Sequence, residues 1–375
     1  MAREGIYSTN VDMSTKLSNS TNVEGLHVSP SLANAMLGEG NFCVRLTQID
    51  GKFPNLALMK LSHWHKSQGH TVVFERSIVK GMFEPEYNLV YGSAIFSTSE
   101  KKIQQFKQNF PNAIIGGTGT NDNSTTVESV LNLAEYEYYD YDIYPDFDAS
   151  IGFSQRGCRL RCKFCVVPKK EGKNVNSNTI YNIWKQNPRN KGKKIHLLDN
   201  DFFGQPNWQE KANEIIDGGY RVCFNQGINI RLIDDEGASY LSRMKFRDDS
   251  FKKKRIYTAW DNKRDEAIFL KGINCILNAG IKPNEVMVYF LCNYWEKGLT
   301  QDVWDRFNTM AEIGLLPYPM IFEKWNASAE LKGFQEWVIR GGYRVTPFET
   351  FMKETKKQYF ERKSNDGTLS LFAFA

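Results

Sequence analysis

Three cysteines stand close together in the run Gly157-Cys158-Arg159-Leu160-Arg161-Cys162-Lys163-Phe164-Cys165-Val166-Val167-Pro168, a C-x3-C-x2-C spacing that holds three of the chain's seven thiols. Loops of two or three residues let neighbouring thiolates face one way and share an iron–sulfur cube or a zinc ion. Three thiolates are one ligand short of either. A structural zinc would need a fourth Cys or a His, and neither occurs within thirty residues on either side. A four-iron cluster held by three thiolates instead keeps one iron open to another ligand. Inert packing cysteines are the plain alternative. Gly157 and the charged Arg159, Arg161 and Lys163 make the run a poor apolar core strand.

With the aromatic Phe164 just before the third cysteine, the run resembles the signature of the radical S-adenosylmethionine (SAM) superfamily. The resemblance implies that Cys158, Cys162 and Cys165 ligate a [4Fe-4S] cluster, that SAM chelates the open iron, and that Phe164 packs near the adenine. Reductive cleavage of SAM would then give methionine and a 5′-deoxyadenosyl radical able to take hydrogen from unactivated carbon. The protein's share of such chemistry is positioning and exclusion of water. A one-electron donor of flavodoxin or ferredoxin type is implied as partner. Many members hold the SAM ammonium with Gly-Gly-Glu after the second strand, where this chain has Leu198-Asp199-Asn200-Asp201. A buried ammonium needs acceptors, so Asp199 and Asn200 are the candidates. After strand three, Arg231 is suited to a forked grip on the methionine carboxylate, with a structural salt bridge as its competing role. Lys169, Lys170 and Glu171 frame the entrance or form a solvated charge run.

These groups need a scaffold that brings strand ends together. A strand over 150–154 feeds the cysteine loop and a helix over 177–186 follows it. Strands over 194–199, 220–224 (extended to 233), 256–260, 285–292 and 318–322 alternate with helices over 208–217, 237–244, 264–279 and 301–313. Six such units predict a partial (β/α)6 TIM-type barrel over 149–345, whose working groups sit at the C-terminal strand ends. A closing helix over 331–340 and a tail over 346–375 follow, ending in the apolar LSLFAFA.

Ahead of this unit, strands near 42–49, 71–75, 87–96 and 113–117 alternate with helices, predicting a doubly wound, Rossmann-like parallel sheet over 41–120. It resembles the cobalamin-binding-type domain of one radical SAM branch, which makes cobalamin a possible cofactor. Gly116-Gly117-Thr118-Gly119-Thr120 ends a strand where such sheets meet ligands, and a plain connecting turn is an equal reading. His63, His65 and His70 read as surface histidines on an amphipathic helix. Residues 1–40 form an arm rich in Ser, Asn and Thr, with a short helix near 31–37. Residues 121–148, acidic and Tyr-rich, read as an inter-domain linker packed by its tyrosines, with a solvated acidic face.

A net charge of +5 and 41% hydrophobic residues fit a globular chain for which a nucleic-acid partner is permitted without being required. No signal peptide or membrane span is evident, so a soluble, cytoplasmic protein with no membrane partner is expected. The basic stretches at 185–194 and 243–255 raise a second reading, a tRNA-modifying enzyme of methylthiotransferase type. Against it, the N-terminal region offers only Cys43 towards a second cluster, and barely 30 residues follow the barrel. A non-enzymatic electron-transfer or sensing protein would ordinarily supply four ligands.

Overall fold

The computed structural model describes residues 41–120, 131, 133, 136–171, 175–176 and 178–354. The N-terminal arm with its expected helix, most of 121–135 and the apolar C-terminus lie outside the described residues.

The first half opens with strand β1 (Cys43–Gln48), helix α1 (Leu56–Ser67), β2 (Thr71–Glu75), β3 (Leu89–Ser93), α2 (Glu100–Asn109) and β4 (Ile114–Gly116). All pairs are parallel, in the order β2-β1-β3-β4. Strand order therefore reverses between β1 and β3, the place where a doubly wound sheet opens a crevice. Asn55 caps α1 by accepting from the Leu58 N–H. The helix lays Leu58, Leu61 and Trp64 on the sheet.

Two expectations change here. His65 and His70 are buried, at 0% and 4% exposure, rather than on the surface. Their Nδ1 atoms lie 2.8 Å apart, and His65 Nε2 reaches the Tyr91 hydroxyl at 3.2 Å. Burial, seconded by His70, drives the His65 pKa down to about 3. The linker packs through its tyrosines as expected, with Tyr139, Tyr141 and Tyr144 buried, but several of its acids are paired rather than merely solvated. The Tyr144 hydroxyl accepts from the Asn55 N–H and donates to Gln48 Oε1, while the Tyr141 hydroxyl accepts from the Ile151 N–H. Glu137 pairs with Lys60 at 3.2 Å and Asp140 with Lys66 at 2.7 Å. Asp142 and Asp148 pair with Arg189 and Lys194, so the basic stretch at 185–194 answers the linker.

The second half runs β5 (Ser150–Gly152), β6 (Gln155–Arg156), α3 (Val167–Lys170), β7 (Val175–Asn176), α4 (Ile180–Lys185), β8 (Lys194–Leu197), α5 (Trp208–Asp217), β9 (Arg221–Phe224), α6 (Asp235–Arg243) and β10 (Lys245–Phe246). It continues with β11 (Ile256–Ala259), α7 (Glu266–Asn278), β12 (Val286–Cys292), α8 (Gln301–Ile313), β13 (Leu316–Ile321) and α9 (Ala329–Ile339). One parallel sheet has the order β10-β9-β8-β5, and another has β11-β12-β13. A parallel bridge from Ile228 to Thr258 joins them. There the Ile228 N–H donates to the Tyr257 carbonyl and the Thr258 hydroxyl to the Ile228 carbonyl, each at 2.8 Å. Gly227 lies at φ +77°, and a Cβ there would press on the Tyr257 carbonyl. This turn ends the third strand at Phe224 rather than at 233, and Ile230–Leu232 forms a 3-10 turn instead. One continuous apolar core underlies both sheets, from Ile180 and Leu197 through Phe224, Trp260 and Phe290 to Phe334. The molecule is thus an α/β protein of parallel sheets. Among the described residues no helix is long and apolar enough to cross a membrane.

Candidate functional site

The cysteine loop leaves the C-terminal end of β5 by way of β6. Gly157, at φ +85°, turns the chain, and its N–H donates to Glu171 Oε2 at 3.1 Å. Asn200 Nδ2 donates to the same oxygen at 2.9 Å, which ties the loop's start and finish to the segment after β8. Next in line, Arg159 pairs with the buried Asp201 at 2.9 Å. A tight turn from the Cys165 N–H to the Cys162 carbonyl (3.0 Å) sets the last two cysteines, and Pro168 starts the short α3.

All three thiols are free and partly exposed. Burial pushes Cys158 up, with the Asp201 carboxylate and the two neighbouring thiols adding to it. Burial also raises Cys162, against the pull of the Arg231 cation. Among the described residues no three His, Cys, Asp or Glu side chains already converge as a ligand set for one metal ion. By donor chemistry the loop suits an iron–sulfur cluster better than a closed zinc site. It offers thiols alone, half exposed, with a cation placed to favour the thiolate of Cys162.

Side chains from several other strand ends meet this loop. After β9, Arg231 is held by Asp265 at 3.1 Å and by Asn229 Oδ1 at 3.1 Å while acting on Cys162. After β11, Asp261 also acts on Cys162, and burial pushes its carboxyl up to about 6 against the opposing Arg306 and Arg231. After β12, Tyr294 meets Phe164 edge-to-face at 5.4 Å and rests on Phe322 beyond β13 at 4.9 Å. Groups after β8, β9, β11 and β12 therefore meet the loop that leaves β5, with Phe322 beyond β13 backing Tyr294, at the strand ends where parallel α/β sheets carry their sites.

Of the candidates, Phe164, Asn200 and Arg231 join the cysteines there, and Arg231 carries a salt bridge besides. Asp199 turns inward. At 2% exposure it accepts from the Ser154 N–H (2.8 Å) and hydroxyl (2.5 Å), and burial lifts its pKa to about 6. It holds the end of β5 in place beneath the loop. Asp201, Asp261, Asp265 and Tyr294 had not stood out in the sequence. Asp261 and Tyr294 come within two residues of the end of an apolar strand run, which is the local signal that could have found them.

The crevice of the first sheet is filled by the chain itself. Asp50 accepts from the Ile95 and Phe96 N–H groups at 2.8 and 3.0 Å, and Asn55 Nδ2 donates to Ser93 Oγ at 2.8 Å. Gly117 and Gly119 lie against the Ala94 and Phe96 carbonyls, where a Cβ would collide. Close backbone approach alone accounts for these two glycines.

No known family model matches the chain, and no curated protein matches it significantly.

Proposed function

We propose that the chain is a radical SAM enzyme, carrying out hydrogen abstraction from, or methylation of, its substrate. The observation that carries this reading is the meeting of groups from the ends of β8, β9, β11 and β12 on the loop that leaves β5 with three free thiols. The Ile228–Thr258 bridge, which links the sheet of β5, β8 and β9 to that of β11, β12 and β13, supports reading them as a partial (β/α)6 barrel.

In this reading Cys158, Cys162 and Cys165 hold a [4Fe-4S] cluster. Such a cluster, when bound, supplies the single electron for reductive cleavage of SAM. Arg231 offers a fixed cation for the methionine carboxylate, its guanidinium already aimed by Asp265 and Asn229. Asn200, its Nδ2 fastened to Glu171, would offer its amide oxygen as an acceptor for the SAM ammonium. Phe164, braced by Tyr294, would supply an apolar surface for the adenine. Asp199 positions the end of β5 through Ser154. An electron donor of flavodoxin or ferredoxin type completes the cycle. Cobalamin is not part of this reading, because the crevice of the first sheet is taken up by Asp50, Asn55 and the backbone at Ala94 and Phe96.

The test is anaerobic reconstitution with iron and sulfide, followed by reduction with dithionite in the presence of SAM. The expected result is a cluster resonance in electron paramagnetic resonance that shifts when SAM is added, together with 5′-deoxyadenosine. A cluster indifferent to SAM, or zinc bound in place of iron, would refute the proposal.

A further inference from the structure

At the opposite ends of β11, β12 and β13 lies a groove of about 780 Å³. Its wall is built by segments that immediately precede the strands. Lys253, Lys254 and Arg255 lead into β11, Lys282 comes shortly before β12, and Arg344 approaches from beyond α9. Gly314 and Leu316, at the start of β13, also line it. Five cations thus face one carboxylate, Glu285, whose oxygen accepts from the Lys282 N–H at 3.3 Å. Among the described residues none of the five forms a salt bridge, although most cations at the linker seam do. Arg255 is braced by the Asn284 carbonyl at 2.9 Å, and Arg344 lies over the Tyr343 ring.

Five cations against the single carboxylate of the lining leave an excess of like charge, and a ligand bearing several anionic groups relieves their repulsion. The lining contains no aromatic face on which a base could stack, so its contacts would be with phosphates alone. We infer that this groove binds the phosphate backbone of nucleic acid through charge, independently of base sequence. The seven residues of β12 put roughly 20 Å of strand between it and the cysteine loop, so it is a separate site.

The experiment measures binding of a fluorescently labelled single-stranded oligonucleotide to the full chain by anisotropy over a salt series. If all five cations meet phosphates, log K should fall against log salt with a slope of about −3.5. The variant K253Q/K254Q/K282Q should bind at least about tenfold more weakly at low salt and lose about 2 from the slope. A control, K101Q/K102Q/K107Q, removes the same charge from exposed positions of α2 and should bind as the parent does. Absence of binding at low salt would overturn the inference. So would equal weakening in both variants, or displacement of the oligonucleotide by tripolyphosphate at an equal phosphate concentration. Circular dichroism of both variants identifies a folding defect, and K254E then repeats the test at one exposed position.

Discussion

Two parallel sheets in this molecule end in places where a ligand could bind, and the chain treats them oppositely. At the crevice of the first sheet Asp50, Asn55 and the backbone at Ala94 and Phe96 satisfy one another. Over the second set of strands the thiols of Cys158, Cys162 and Cys165 are left free, and Arg231 and Asp261 face one of them. The same topology therefore yields a closed joint in one half and an open mouth in the other. What separates them is that the second presents three free, partly exposed thiols at its strand ends.

Four measurements would sharpen or break this contrast. The largest effect is expected from C162A, which should abolish both the reconstituted cluster resonance and 5′-deoxyadenosine formation. Retention of either would place the chemistry elsewhere. R231Q should raise the SAM concentration for half-maximal cleavage about 10- to 100-fold, the worth of a charge-assisted pair, with little change in melting temperature. An unchanged requirement would make Arg231 purely structural. D50A should do the reverse. It leaves two N–H groups without their acceptor and should cost about 2 kcal/mol in urea unfolding, while SAM cleavage stays as in the parent.

The smallest effect concerns pH. His65 has its pKa lowered from 6.5 to about 3, so its contribution to stability is present above pH 6.5 and is lost as the pH falls towards 3. Between pH 7 and 5 the unfolded chain takes up the proton and the folded one does not, a loss of about 2 kcal/mol. H65Q should remove that part of the acid sensitivity, measured as the difference in urea midpoint between the two pH values. A difference equal to the parent's would remove His65 from the account.

Much of the scaffold was legible in the sequence because its signals are local. The helices Trp208–Asp217 and Gln301–Ile313 fall at the expected residues, since an apolar stripe at helical spacing stops at Gly218 and at Gly314, the latter at φ +85°. Cysteine spacing is local as well. The inward turn of Asp199 was not legible, because its partner Ser154 lies 45 residues away across β5 and β8. Nor was the burial of His65 and His70, which depends on Tyr91 of β3 and Phe42 packing against the two rings. The strand expected to reach 233 stops early because Gly227 brings the chain against β11, a tertiary contact that leaves only a glycine as its trace. The gathering of Arg231, Asp261 and Tyr294 likewise follows from strand order.

The tyrosine seam also bears on how the chain is made. Tyr144 is fastened to Gln48 and Asn55, and Tyr141, three residues earlier, offers its hydroxyl to the Ile151 N–H of β5. A ribosome working from the N-terminus delivers the first sheet and then the seam before it delivers the rest of the second half. The seam can settle on the finished sheet and present a ready anchor to β5 as that strand emerges. The strand that carries the cysteine loop would then find its register before its later neighbours have been synthesised.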